Sequence, residues 1–195
     1  MDNLKINKLK DQIWVTRISR VNAEARLQNK EKFVQGINVY YSCVTIVYSI
    51  LSYVNHDDSL SLVTIFMTIS LLITIMHLNA QNFSGQAHEF RDNYTEFQKL
   101  ELELDNIELN STVDLKDIEE RYCDLLKKYN NHISFDYYKT MMNSTVEFRA
   151  MKNWTKYKEV KYYFGVIWRK ALSFMLIILP IILYIVKGKI INVCI

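Results

Sequence analysis

The sequence is poor in the residues that turn or cross-link a chain. One proline and four glycines occur in 195 residues, which leaves little material for tight turns and disfavours a sheet of many strands. Cys43, Cys123 and Cys194 lie far apart at spacings that suit no metal site. Their odd number argues against a disulfide framework. The composition therefore predicts an all-α protein with reduced cysteines.

Signals for enzymes and for nucleic-acid binding are also missing. The sequence has no glycine-rich phosphate loop, no His-Glu-x-x-His pair and no nucleophile elbow, so we expect no enzyme, no catalytic residue, no metal and no cofactor. His88, Glu89 and His132 have no partner ligands at metal spacing and are predicted to be surface residues. The net charge is only +3, and acidic and basic residues alternate. Direct binding of nucleic acid is therefore not expected.

Two long runs contain no charged side chain. Residues 33–54 and 60–80 are free of Asp, Glu, Lys and Arg, and the short polar segment Asn55–Ser59 separates them. Each run, as a helix, rises about 30 Å or slightly more, which is the thickness of the hydrocarbon core of a bilayer. A turn of this length joins antiparallel neighbours. Residues 33–80 are therefore predicted to form a transmembrane hairpin, in a chain without a cleavable signal peptide.

A third apolar run is shorter. Residues 171–186 are apolar and contain Pro180, while Arg169 and Lys170 precede them. We favour a third transmembrane helix over residues 169–186, with neighbouring helices satisfying the carbonyl group that Pro180 frees. A re-entrant helix, an interfacial helix and a short span packed against its neighbours are the alternatives. Residues 187–195 form a short tail.

The polar segments on either side of the hairpin are predicted to be helical and cytoplasmic. Residues 1–32 form a basic amphipathic helix, which either lies on an anionic membrane surface or packs against the rest of the cytoplasmic domain. Residues 81–168 form a helical domain. The basic residues cluster before residue 33 and are absent from the turn at Asn55–Ser59. The positive-inside rule therefore places the N-terminus and everything after Ala80 in the cytoplasm.

A heptad pattern begins directly after the second span. The apolar positions alternate by three and four residues, which predicts a helix that continues rigidly out of the membrane. They are Phe83, Ala87, Phe90, Tyr94, Phe97, Leu100 or Glu101, Leu104 and Ile107. Asn110–Thr112 is predicted to end this helix, and Thr112 or Asp114 to cap the next one, whose apolar face runs from Leu115 to Tyr129. One or two more helices are expected over residues 135–168.

Hydroxyl and amide side chains form a stripe along the first span. Their spacing of four, three, four and three residues keeps them within an arc of about 80° on a helix. The stripe consists of Asn38, Ser42, Thr45, Ser49 and Ser52. Such groups are costly against lipid. The stripe therefore either packs helices together through small residues or lines a water-filled path in an assembly of several copies.

The second span carries the only imidazole within a predicted span. His77 lies near its cytoplasmic end. A titratable group within a span is a candidate gate or proton sensor. A solvated histidine at the boundary, without a special role, is the alternative.

Two segments resemble a known family. The first runs from Trp14 to Arg26 (WVTRISRVNAEAR), before the hairpin, and the second from Phe83 to Tyr94 (FSGQAHEFRDNY), after it. Together with the architecture, they resemble the SLATT domain, a two-transmembrane effector domain associated with bacterial nucleotide-signalling immunity. The resemblance covers roughly residues 8–186 and is strongest to a subgroup often encoded beside reverse transcriptases.

The resemblance implies an anti-phage effector of the bacterial inner membrane that acts by abortive infection. It would form a homo-oligomer, and it would open a pore or disrupt the membrane when a cytoplasmic sensor is triggered. A reverse transcriptase or a nucleotide-signalling protein would be the partner. A non-conducting membrane anchor, which recruits a partner enzyme through its cytoplasmic helices, is the alternative function.

Overall fold

The computed structural model describes the backbone of residues 2–109, 115–128 and 131–193, and the side chains of residues 4–106, 115–128, 131–150 and 152–186. Seven helices and no strand occur in these ranges. They are α1 (Asp2–Asn55), α2 (Asp58–Ala80), α3 (Phe83–Leu109), α4 (Leu115–Lys128), α5 (Ser134–Asn143), α6 (Val146–Met151) and α7 (Lys156–Val193). The predicted all-α class is confirmed.

Three helical segments are long and apolar enough to cross a membrane. They lie in α1, in α2 and in α7, and their best windows have mean hydropathies of 1.4, 2.2 and 2.0. The third window falls in the helix that carries Pro180. A membrane protein with a two-span hairpin and a third C-terminal membrane helix is therefore confirmed.

The chain divides into two compact units. The head unit comprises the described residues of 1–29 and 83–165, and the membrane unit those of 30–82 and 166–195. Helices α1 and α7 each contribute to both units. Each unit is thus assembled from segments that are distant in the sequence.

The core of the head unit joins three helices. Ile13 of α1, Phe97 and Leu104 of α3, and Ile118 of α4 are fully buried together. Burial of four such side chains stabilises the unit by several kcal/mol, at about 2 kcal/mol each. Of the two alternatives for the N-terminal helix, the structure therefore supports packing against the helices that follow the hairpin.

The predicted heptad seam of α3 faces this core. Phe83, Ala87, Phe90, Phe97, Leu100 and Leu104 are buried. Leu100, rather than Glu101, occupies the ambiguous position. Asn93 is fully buried and Tyr94 only half-buried, so one seam position is polar. The side chain of Ile107, the expected helix end at residues 110–112, the caps Thr112 and Asp114, and Tyr129 lie outside the described residues.

The prediction of one rigid helix across residue 80 is wrong. Helix α2 ends at Ala80 and α3 begins at Phe83. Asn82 adopts φ 43, in the left-handed region that asparagine tolerates better than most residues. A heptad pattern indicates which side chains of a helix are buried. It does not indicate where one helix ends and the next begins, as at Asn82.

The expected helix boundary near residue 168 is also absent. Helix α7 begins at Lys156 and continues through Arg169 and Lys170 into the apolar run. Two charged residues stop an apolar run without breaking a helix, because lysine and arginine are good helix formers. The third membrane helix is therefore the continuation of a helix that starts in the head unit.

Candidate functional site

Tyrosines of α1 hold the proline-containing part of α7 in the membrane unit. Proline has no N–H group, so Pro180 leaves the carbonyl group of Leu176 without its helical donor. The hydroxyl group of Tyr41 donates to this oxygen at 2.7 Å. Tyr48 donates to the Pro180 carbonyl at 2.7 Å. The expectation that a neighbouring helix satisfies the freed carbonyl is met, although the sequence did not single out the tyrosines that do so.

The predicted polar stripe divides into two parts, and its end near the interspan turn packs α1 against α2. Ser52 is 6% exposed. Its Oγ atom donates to the Asp57 carbonyl at 2.8 Å and lies 2.6 Å from the Oγ atom of Ser61. Thr64 is buried beside them, and its hydroxyl donates to the Leu60 carbonyl at 2.8 Å. Here the stripe has the helix-packing role.

The rest of the stripe is not covered by other helices of the unit. Ser42 and Ser49 are exposed, and Asn38 and Thr45 are half-buried. Ser42 donates to the Asn38 carbonyl at 2.9 Å and Ser49 to the Thr45 carbonyl at 2.9 Å. The Oδ1 atom of Asn38 is buried and accepts no hydrogen bond from the described chain. The exposed face, defined as Ser42 and Ser49, is therefore polar and open.

A polar cleft adjoins the turn end of this face. It has a volume of about 390 Å³, and Ser49, His56, Asp57 and Asp58 are among its lining residues. The Oδ1 atom of Asp57 accepts from the backbone N–H of Leu60 at 3.1 Å and caps α2, so this carboxylate also fixes the start of the second span. The sequence predicted a stripe position for Ser49 and only a turn for the other three residues, and it gave no sign of the cleft.

His77 is exposed near the end of α2. Its Nε2 atom lies 2.8 Å from the Nε2 atom of Gln81, one turn further along the chain. No hydrogen bond within the described residues joins His77 to the stripe. The structure does not bring the candidate gate and the stripe into one site, and the gating role stays a prediction.

The segment Trp14–Arg26 forms a polar interface inside the head unit. Arg26 forms two hydrogen bonds with the carboxylate of Asp136 on α5, at 2.8 and 3.1 Å. Glu24 accepts from Arg91 of α3 at 2.8 Å, which raises the pKa of the Arg91 guanidinium. Arg17 contacts Glu101 at 2.7 Å. These residues therefore attach α1 to two other helices.

Hydroxyl and aromatic groups complete this interface. Ser19 and Asn22 both hydrogen-bond the hydroxyl of Thr140, at 3.0 and 2.9 Å. Arg20 is fully buried, with its guanidinium carbon 5.0 Å from the centre of the Phe97 ring. The residues of the segment Trp14–Arg26, which carry the family resemblance, thus hold the helices of the head unit together. In the sequence they appear only as a pattern of charges.

The prediction that His132 is a surface residue is wrong. Its side chain is half-buried, and its Nδ1 atom is inaccessible to solvent. Burial lowers the pKa of the imidazole, and the positive charge of Arg20 lowers it further, while Asp136 opposes the shift. His88 and Glu89, in contrast, are exposed as predicted. In the described part of the chain, no group of three or more His, Cys, Asp or Glu side chains is arranged to hold a metal ion.

Comparison with known proteins identifies the family. The model of the SMODS and SLOG-associating 2TM effector domain family 5, abbreviated SLATT_5, matches residues 2–186. No curated protein and no solved structure gives a significant match. The match includes residues of both units and the three candidate membrane spans found among the described residues. The chain therefore belongs to SLATT family 5 and is a membrane effector of a defence-associated system.

Proposed function

We propose that the chain is a non-enzymatic effector that assembles in the bacterial inner membrane and permeabilises it when a cytoplasmic signal acts on the head unit. The observation that carries this proposal is the exposure of Ser42 and Ser49 in the middle of a charge-free span. The family membership supports an effector role in defence. The exposed face is the surface through which copies of the chain would assemble.

The energetic argument concerns polar atoms in lipid. The bonds of Ser42 and Ser49 to carbonyls one turn earlier satisfy their donors, but the hydroxyl lone pairs stay open. The Oδ1 atom of Asn38 also lacks a donor. An unsatisfied polar group in hydrocarbon costs several kcal/mol by transfer measurements, although observed helix contacts recover only about 1 kcal/mol each. Contact with other copies, or with water that the copies enclose, removes this cost.

The charge distribution supports a cytoplasmic head unit. Arg17, Arg20 and Arg26 belong to the head unit, while the turn between the first two spans contains no Lys or Arg. Loops rich in basic residues stay on the cytoplasmic side. The N-terminus and the head unit are therefore proposed to lie in the cytoplasm, where a sensor protein can reach them.

The trigger is proposed to be a cytoplasmic partner. The family is described by its association with SMODS and SLOG, and a nucleotide-signalling protein or a reverse transcriptase would fit this setting. Helices α1 and α7 belong to both units without a break in the helix. They, rather than the interrupted α2–α3 segment, are the proposed route by which an event in the head unit reaches the spans.

The test uses matched pairs of hydroxyl residues in the two spans. The variant S42L/S49L removes the exposed face of α1. The control S70L/T74L removes two exposed hydroxyls of α2, of which that of Thr74 donates to the Ser70 carbonyl one turn earlier. Both variants are induced in bacteria with and without the genomic neighbour, and membrane potential and dye entry are followed. We expect dye entry to fall at least about tenfold in S42L/S49L, the equivalent of about 1.4 kcal/mol, and to change little in S70L/T74L.

Equal leakage from the wild type and S42L/S49L, with both inserted, would refute the role of the exposed face. An intact membrane potential during phage challenge, with the head unit still bound to its partner, would favour the non-conducting anchor instead.

A further inference from the structure

Three of the eight basic residues of the N-terminal segment 1–32 pair with carboxylates of other helices in the head unit. Lys10 pairs with Asp105 at 2.6 Å, Arg17 with Glu101 at 2.7 Å and Arg26 with Asp136 at 2.8 Å. A cation that already has a carboxylate partner gains little from an anionic membrane. These three side chains of α1 are therefore poor candidates for lipid binding, although the sequence pattern suggested this role for the helix.

The first turns of α7, in contrast, carry lysines that do not pair with carboxylates of the described chain. Lys156, Lys158 and Lys161 have no carboxylate within 4.0 Å among the described residues. The single acidic residue of this segment, Glu159, accepts from the indole N–H of Trp154 at 3.1 Å and lies 3.7 Å from Arg149. Three ammonium groups are thus left to bind an external anion.

Aromatic side chains hold two of these lysines in place. The Nζ atom of Lys158 lies 5.7 Å from the centre of the Trp154 ring, and that of Lys161 lies 5.9 Å from the Tyr138 ring. An aromatic face orients an ammonium group without neutralising its charge. Tyr157 and Val160 are 73% and 66% exposed between the lysines. The segment therefore combines charge with exposed apolar surface, which is the composition of a membrane interface.

The same helix continues into the third span, and its length places Lys161 near the bilayer. The run Ala171–Val186 rises about 24 Å, about four residues short of a 30 Å core. Arg169 and Lys170 mark the end of this run on the side of the lysines. Lys161 precedes Arg169 by eight residues, or about 12 Å along the helix, which is close to the Debye length of about 10 Å at 0.1 M salt. Lys158 and Lys156 lie progressively further from the membrane end of the helix.

We propose that the segment Trp154–Lys161, defined here as the lysine segment, binds the phosphate groups of anionic lipids on the head-unit side of the membrane. Charge complementarity and the continuity of α7 with the span favour lipid over a second copy of the chain, because two parallel copies would bring like-charged lysines together. The phosphate oxygens would accept hydrogen bonds from the ammonium groups, and Tyr157 would lie among the headgroups. This inference requires membrane insertion only, and it stands whether or not the protein forms a pore.

The experiment measures lipid retention rather than leakage. The full chain is reconstituted in phosphatidylcholine nanodiscs that contain a minority of phosphatidylglycerol, and the phosphatidylglycerol that stays with the protein is counted by native mass spectrometry. We expect K156Q/K158Q/K161Q to retain about tenfold less, since each lysine near an anionic surface contributes substantially to binding. The control K116Q/K127Q/K128Q makes the same change in charge on α4 and should retain the wild-type amount.

Single substitutions sharpen the test. K161Q should have the largest effect, K158Q a smaller one and K156Q the smallest, because the attraction falls off with distance from the headgroups. The triple change to arginine keeps the charge and should preserve retention. Inorganic phosphate should not compete.

Equal losses in the α7 and α4 triple variants would overturn the proposal, and so would retention that is unchanged in both. Competition by inorganic phosphate would show that a soluble anion occupies the segment. A cross-link from residue 157 to another protein, with unchanged lipid retention, would assign the surface to a protein partner.

Discussion

The two units bury polar groups by different means. In the head unit, charged side chains of separate helices pair with each other, as Arg26 does with Asp136 and Arg91 with Glu24. In the membrane unit, hydroxyl groups bond mainly to backbone carbonyls, as Tyr41 and Tyr48 do. The first arrangement depends on ionisation and the second does not. The comparison suggests that the head unit responds to its chemical environment, while the membrane unit keeps its packing.

The largest expected effect comes from breaking the head-unit pairing. Asp136→Ala leaves Arg26 without its carboxylate, at a position where the Asp136 side chain is 1% exposed. Loss of one partner of a buried ion pair costs about 3–5 kcal/mol. We expect a strongly lowered unfolding temperature for the purified full chain. Asp124→Ala, at an exposed pair, is the control, and a comparable loss in both variants would contradict this account.

A smaller effect should follow from the hydroxyl-to-carbonyl bonds of the membrane unit. Tyr41→Phe removes the donor to Leu176 and should cost about 1 kcal/mol in the free energy of unfolding. In a Pro180→Ala background the helix supplies its own donor, so the same substitution should cost much less. The two costs form a double-mutant cycle. Tyr53→Phe, at a side chain that is 82% exposed, serves as the control, and equal costs in both backgrounds would remove the proposed link to Pro180.

The smallest effect tests the difference in ionisation between the units. Burial lowers the pKa of His132 from its ordinary value of 6.5. As the pH falls, this imidazole is therefore protonated in the unfolded chain before it is protonated in the folded head unit. Stability is therefore complete above about pH 6.5 and decreases as the pH falls below it. Hydrogen exchange of head-unit amides, expressed relative to the intrinsic exchange rate at each pH, should increase as the pH falls below this value, and His132→Gln should remove that dependence. Exchange in the spans, expressed in the same way, should stay constant.

Periodicity and charge were sufficient for much of the fold. The spacing of Phe97 and Leu104 identified the buried face of α3, because helix geometry alone decides which positions share a side. The absence of charge over residues 33–54 and 60–80 identified two spans for an equally local reason. The continuity of α7 was missed, because Arg169 and Lys170 signal a change of environment and carry no information about helix breaks.

The candidate site was less predictable. Ser42 and Ser52 have the same chemistry and belong to the same stripe, yet one is exposed and the other is buried against Ser61. The difference depends on where α2 approaches α1, which is a tertiary property. The polar position at Asn93 and the pairing of Tyr41 with Leu176 also join residues that are distant in sequence. No local pattern specifies such contacts.

The division of the chain has a consequence for biosynthesis. The head unit is built from residues on both sides of the hairpin, so Arg26 is synthesised more than a hundred positions before its partner Asp136. The two can meet only if both spans have crossed the bilayer and returned the chain to its starting side. A chain with a single inserted span would hold them on opposite faces of the membrane. Completion of the head unit therefore acts as a check on topology, and chains that insert incorrectly stay unassembled and open to proteolysis.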